Sequence, residues 1–255
     1  DAAHELRTPL TSIRGFAELS RLDPDRSPVD QSVLMQRIEE ESLRMKRLVD
    51  DLLLLARLDR TAPAEHSAVD LAVLAADACT DFVAADPGRP VSLDAPEPVI
   101  VHGVTDHLRQ AIANVMANAR RHTPPGTPVE VTVRSEGDDA VLSVRDHGAG
   151  LSEDAVAHAF DRFWQADAAR AGAGSGLGLS IVGAIAAEHG GSAVAANAAD
   201  GRGGLGTITG RGPGRDASAR ARSCPPIRGM WRSITTTSNL SCANASSAAT
   251  PSGAA

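Results

Sequence analysis

The sequence predicts an α-helical hairpin over residues 1–60, a linker at 61–68, an α+β two-layer domain over 69–206, and a disordered tail over 207–255. Three observations carry this expectation. Between Leu34 and Leu55 apolar residues recur at three-, four- and seven-residue steps, the spacing of one helix face. Val129 to Val133 and Ala140 to Val144 follow instead the two-residue period of half-buried strands. From Thr207 onward Gly, Pro, Ser, Ala, Thr and Arg succeed one another with no sustained period.

In chain order, residues 1 to about 22 form a first helix, with Leu6, Leu10, Ile13 and Ala17 near one face. Pro24 and Pro28, with Asp23, Asp25 and Ser27, break it into a turn. A second helix runs from Val29 to Leu58 on the stripe Leu34, Ile38, Met45, Leu48, Leu52 and Leu55. A two-helix hairpin cannot bury such a stripe alone. Dimerisation into a four-helix bundle, centred on Leu48, Leu52 and Leu55, is the economical solution, and packing against the rest of the chain is the alternative. After the linker come a helix over Leu71–Ala85, strands near Pro90–Leu93 and Val99–His102, and a helix over Asp106–Arg121. The two alternating strands follow, then a helix over Leu177–Glu188 and a strand over Ser192–Ala196.

Composition limits the function. The net charge of −7 is uneven: the tail from Thr207 holds six arginines and one acid, so the body before it is strongly acidic. An acidic body argues against a nucleic-acid-binding surface. Three cysteines without metal spacing argue against a disulfide framework or a zinc site, and fit a reducing, cytoplasmic setting. No apolar run approaches the ~20 residues that span a bilayer, and no signal peptide is visible.

The chemistry begins at once. His4-Glu5-Leu6-Arg7-Thr8-Pro9-Leu10 opens the first helix. A neutral imidazole is a fair nucleophile, and an adjacent carboxylate can orient the ring and accept its proton. On the second domain, Asn114 and Asn118 lie four residues apart on one helix face. Their carboxamides can hold a hydrated Mg²⁺ and phosphate oxygens, with Arg121 a turn further on. Asp146-His147-Gly148-Ala149-Gly150 ends a strand, so a carboxylate is presented beside glycines that permit close backbone approach. Gly172-Ala173-Gly174-Ser175-Gly176-Leu177-Gly178-Leu179 feeds a helix N-terminus, whose unpaired amides suit phosphates.

The first run resembles the phosphoacceptor H-box of sensor histidine kinases of two-component systems. Residues 114–123 resemble the N-box of Bergerat-type ATPases, and Asp146 to Gly150 the G1 box. Phe160-Asp161-Arg162-Phe163-Trp164 resembles the F-box, and residues 172–179 the G2 box. All occur in the family's order over residues 1–206. The resemblance implies a dimeric protein-histidine autokinase using ATP and Mg²⁺. His4, Glu5 and Thr8 would be catalytic, Thr8 serving the reverse phosphatase reaction. Asn114, Asn118, Arg121, His122, Asp146, Gly148, Gly150, Arg162, Gly174, Gly176, Leu177 and Gly178 would bind the nucleotide, Asn118 also the metal, and Asp146 the adenine amine. The phosphoryl group would pass from His4 to an aspartate of a response regulator. Related hydrolases of this fold carry a glutamate base where this chain has Asn114, so transfer to a side chain is favoured over transfer to water.

Three departures accompany the likeness. The chain opens almost on the H-box, as a fragment of a longer, membrane-anchored protein would. Gln165 stands where relatives often have a lid arginine, which leaves a degenerate, regulator-binding scaffold or phosphatase as the alternative function. Relatives end on an alternating strand, where this chain turns to Gly-rich text. With Lys46 the sole lysine, the arginine excess suggests a GC-rich coding sequence, and a shifted reading frame would give this tail.

Overall fold

The computed structural model describes residues 2–23, 27–60, 65–166, 174–198 and 203–211. Its elements are α1 (Ala2–Leu22), α2 (Pro28–Leu58), β1 (Ser67–Asp70), α3 (Leu71–Ala85), β2 (Val91–Asp94), β3 (Ile100–Gly103), α4 (Thr105–His122), β4 (Val129–Glu136), β5 (Asp139–Asp146), α5 (Glu153–His158), α6 (Gly178–Glu188), β6 (Ser192–Asn197) and β7 (Gly204–Arg211). Most follow the sequence periods closely. Residues 24–26 of the turn, 61–64 of the linker and 212–255 of the tail, including Cys224 and Cys242, lie outside the described residues.

α2 starts where local chemistry sets it. Ser27 accepts from the Asp30 amide at 3.2 Å, and Pro28 occupies a position whose N–H has no intrahelical partner. In α1, buried Pro9 lacks the N–H that would bond the Glu5 carbonyl one turn back. The hairpin departs from its expected role in one respect. Leu48 and Leu55 are buried in the core shared with the ATPase-like domain, so the intramolecular alternative takes that part of the stripe. The large apolar residues left exposed on α2 are instead Val29, Val33, Met35, Leu43, Val49 and Leu53.

The second unit is a two-layer sandwich. Its five-stranded sheet has the order β2-β4-β5-β7-β6, with β2 and β4 parallel and the other pairs antiparallel. Alternate residues Val129, Val131 and Val133 of β4 and Ala140, Leu142 and Val144 of β5 are buried under α3, α4 and α6. α4 contributes Leu108, Ala111, Ile112, Val115, Met116 and Ala119, a continuous three-and-four stripe. This burial turns the flank carrying Asn114, Asn118 and Arg121 toward the cleft described below. β1 and β3 form a separate antiparallel ribbon, so Ser67 and Ala68 belong to a strand and not to the linker. The short α5 had no periodic signal; Ser152 caps it by accepting from the Ala155 amide at 3.1 Å.

The largest correction concerns the end of the domain. Residues 207–211, assigned to the tail by sequence, form most of β7, an inner strand paired with β5 on one side and β6 on the other. Its alternation is real but written in glycine: Gly204, Gly206, Ile208 and Gly210 share one face, and Leu205, Thr207 and Thr209 the other. A glycine counts as neither apolar nor polar, so the period is invisible to a hydrophobicity pattern. Packing requires it at Gly206, where a Cβ would stand 3.0 Å from Val115 of α4. The edge strand is β6, not β7.

At the opposite end of α6, His189 fastens the β1–β3 ribbon. Its Nδ1 donates to the Ile185 carbonyl at 2.7 Å and its Nε2 accepts from the Val104 amide at 3.0 Å. The amide is a fixed donor, so the ring must be neutral. Burial pushes its pKa below the ordinary 6.5; the Ile185 carbonyl and Glu188 oppose this, and His66 and His107 add to it. The unfolded chain therefore binds this proton at a higher pH than the fold does, and stability contributed by the neutral ring is lost as pH falls below about 6.5. Melting temperatures measured from pH 7 to pH 5 should fall less steeply in His189→Gln than in the wild type. Parallel profiles would show that His189 does not set the slope.

Candidate functional site

A cleft of about 690 Å³ opens between the hairpin and the sandwich. Its walls carry Glu5 and Pro9 from α1, Arg44 and Arg47 from α2, Asn114, Asn118, Arg121 and His122 from α4, Asp146 at the end of β5 and Gly150 beyond it. Gly174, Gly176 and Gly178 close it at the start of α6. Ten of the residues singled out by sequence thus meet in one space, although they come from positions as distant as 5 and 178.

Asp146 is fixed by its backbone surroundings. Its Oδ1 accepts from the Gly148 amide at 2.9 Å and from the Gly204 amide at 3.1 Å. Oδ2 takes neither bond and remains an acceptor. Gly148 therefore acts on the carboxylate and is not itself part of the cleft wall. Gly203 is required beside it, because its φ is +84° and a Cβ there would stand 1.7 Å from the Asp146 carbonyl oxygen. The loop after Gly150 is held by Asn197, which accepts from the Leu151 amide at 2.6 Å and donates to the Leu151 carbonyl at 2.9 Å.

The carboxamide of Asn114 donates to the Gly178 carbonyl at 3.2 Å, tying α4 to the glycine run and keeping its oxygen as an acceptor. Gln165 donates to the Gly174 carbonyl at 2.9 Å, so this departure from the family pattern braces the same run. Gly176 has φ +68° and lies against the Phe163 backbone, where a Cβ would come within 2.7 Å. Residues 167–173 of the expected lid, with Gly172 and Ala173 of the glycine run, lie outside the described residues.

The basic wall is electrostatically crowded. Arg121, exposed on one side, has its pKa pushed down by desolvation, then by Arg47, Arg120 and Arg44. His122 is pushed below its usual value by burial and by Arg121, against the pull of Asp146.

Some expected residues stand elsewhere. His4 is exposed and does not line the cleft, although its neighbour Glu5 does. Successive helical residues point about 100° apart, so Glu5 can line the cleft while its neighbour stays outside it. Thr8 is also exposed, its hydroxyl donating to the His4 carbonyl at 3.4 Å. Arg162, expected among the nucleotide ligands, instead pairs with Asp59 at the end of α2, at 2.7 and 3.0 Å from the two carboxylate oxygens. Leu177 is fully buried core, and only its main chain borders the glycine run. Sequence reasoning missed Gly203, Gly204, Asn197, Arg44 and Arg47; only the adjacent glycines Gly203 and Gly204 offered a signal.

The fold is thus a two-layer α/β sandwich beside a helical hairpin that carries an exposed histidine. Residues 1–61 match the His Kinase A phospho-acceptor domain. Residues 103–213, β7 included, match the histidine kinase-, DNA gyrase B- and HSP90-like ATPase. The chain belongs to the sensor histidine kinases, with an ATP-binding domain of that superfamily. Over 195 residues it is 44% identical to the "Probable sensor histidine kinase TcrY" of Mycobacterium tuberculosis, covering 75% of this chain and 41% of the relative. Over 202 residues it is 42% identical to the sensor histidine kinase TrcS of the same organism, covering 76% of this chain and 40% of the relative. The chain thus spans about two fifths of the length of these curated relatives. The solved Acinetobacter baumannii histidine kinase AdeS shares the fold, with a TM-score of 0.66 at 21% identity over 82% of this chain and 97% of that one.

Proposed function

We propose that this chain is the kinase portion of a sensor histidine kinase: it transfers the γ-phosphoryl group of ATP to His4, and from His4 to an aspartate of a response regulator. The observation that carries the reading is the shared cleft. Glu5 of the phosphoacceptor helix and the carboxamide, carboxylate and glycine residues of the ATPase unit line one space.

In this reading Asp146 accepts from the adenine amine, and Asn114 and Asn118 face the phosphates. A Mg²⁺ ion would fit this donor set, because the carboxamides of Asn114 and Asn118 carry hard oxygen donors that phosphate and water oxygens would supplement. The ion would neutralise phosphate charge during transfer. The neutral His4 ring attacks phosphorus, the bond to the ADP oxygen breaks, and Glu5 orients the ring and accepts its proton. Because His4 stands outside the cleft of its own chain, transfer requires the two units to re-dock or a second copy to present its cleft.

The exposed Leu10, Leu43, Val49 and Leu53 on the hairpin support a homodimer, whose four-helix bundle would cover them. A solved relative, ThkA, is recorded in complex with the response regulator protein TrrA, which supports a regulator as the second partner. No helix among the described residues is long and apolar enough to cross a membrane. Likeness to the sensor kinases is what supports the proposed location, the cytoplasmic part of a membrane-anchored parent.

Incubating the chain with γ-labelled ATP should give a label that is lost in acid and kept in base. No such label, with ATP bound, would overturn the reading. For the adenine contact, Asp146→Asn replaces one acceptor by a donor. ATP affinity in calorimetry should fall by about 1–3 kcal/mol; an unchanged affinity would place the adenine elsewhere.

A further inference from the structure

We propose that Arg44 and Arg47 of α2 bind the polyphosphate of the nucleotide, so that the phosphoacceptor hairpin itself completes the ATP site. The inference rests on the nucleotide reading of the cleft above and assigns a role to residues outside the ATPase unit.

Arg44 and Arg47 are three residues apart, hence on one face of α2, and both line the cleft opposite Asn118 and Arg121. Arg121 lies over the glycine run, its Nη1 3.3 Å from where a Cβ of Gly174 would be. Basic groups from two separate elements therefore converge at the phosphate end of the cleft. Among the described residues Arg44 and Arg47 are left free of acidic partners, and of Arg47 only Nε is engaged, donating to the Leu43 carbonyl at 3.3 Å. Elsewhere Arg14, Arg37, Arg134 and Arg162 each pair with a carboxylate. Among the described residues no carboxylate lies within ion-pair distance of Arg44, Arg47, Arg120 or Arg121. The acids on that wall do not fill the role: Asp50 is held by Lys46 at 2.7 Å, and Asp51, though it feels Arg47, is raised in pKa by burial and by Asp50.

Gathering like charges costs free energy unless an anion joins them. Desolvation is the larger cause of the lowered Arg121 pKa, and repulsion from Arg47, Arg120 and Arg44 adds to it. Guanidinium groups also match phosphate oxygens in geometry, through paired N–H donors. A triphosphate in the cleft would relieve the repulsion and would at the same time hold α2 against α4, which draws the hairpin and the ATPase unit together when nucleotide is bound.

The test uses the full chain and three variants, R44A/R47A, R44K/R47K and D146N, titrated calorimetrically with ATP, ADP and adenosine. The alanine pair should lose about tenfold or more in ATP and ADP affinity while adenosine affinity stays within about twofold. The lysine pair, which keeps the charge, should recover part of the loss, and the alanine pair should show a shallower salt dependence. ATP affinity within about twofold of wild type in the alanine pair overturns the inference. So does an equal loss for ATP and adenosine with no recovery in the lysine pair, the mark of a distorted cleft. A wild-type chain that binds no ATP overturns the nucleotide reading itself. Loss in D146N without loss in R44A/R47A leaves that reading standing and removes only the arginines.

Discussion

A chain carrying His4→Gln takes up no acid-labile phosphate from γ-labelled ATP, yet binds ATP as the wild type does. The first half follows from chemistry, because a carboxamide has no nucleophilic nitrogen to replace the imidazole. The second follows from position. His4 is exposed in the first turn of α1 and outside the cleft, so its replacement leaves Glu5, Asn118 and Asp146 in place. Label should drop to background while calorimetry and melting temperature stay unchanged. Undiminished label in the variant would assign the acceptor role to another histidine, with His122 in the cleft wall the first to test.

The second large effect is structural. A chain ending at Gly206 should be far less stable than one ending at Arg211. Ending at Gly206 removes Thr207 to Arg211, which pair with Asp139 to Ser143 of β5 and, through Thr207 to Thr209, with Ser192 to Val194 of β6. Two neighbouring strands lose partners at once, and Ile208 leaves the core. Unpaired backbone groups and uncovered apolar surface together should cost more than about 4 kcal/mol, a large share of the ~5–15 kcal/mol that holds a domain of this size. Chemical denaturation of the two truncated chains measures the difference directly. Equal midpoints would mean that β7 contributes little and that the domain boundary inferred from sequence was the correct one.

These two predictions rest on different kinds of legibility. The phosphoacceptor run is local: seven consecutive residues place a nucleophile, a carboxylate and a hydroxyl on one helix. The helices α2 and α4 and the strands β4 and β5 were legible for a similar reason, since their apolar residues repeat at 3.6 or 2 over enough length to fix the element and its buried face. β7 was not, because three of the four positions on one of its faces are glycines, which carry no hydrophobic signal; of these only Gly206 lies against α4. α5 was too short to show a period, and β1 exists only through its pairing with β3.

By itself the sequence determined the two-unit architecture, the order of the boxes and the residue types available for chemistry, because helical and strand periods, caps and contiguous motifs are properties of neighbouring residues. It also marked Asn114, Asn118 and Asp146 as groups that one ligand could bring together. Only the tertiary structure decided that Arg162 serves an ion pair with Asp59, that His4 stands outside the cleft that receives Glu5, and that Leu48 and Leu55 are spent on packing within the chain. It alone brought Arg44 and Arg47 to face Arg121. The physical reason is common to all four: each depends on the angle and distance at which the hairpin meets the sandwich. That geometry is set by side chains more than fifty residues apart packing against one another, and no local period records it.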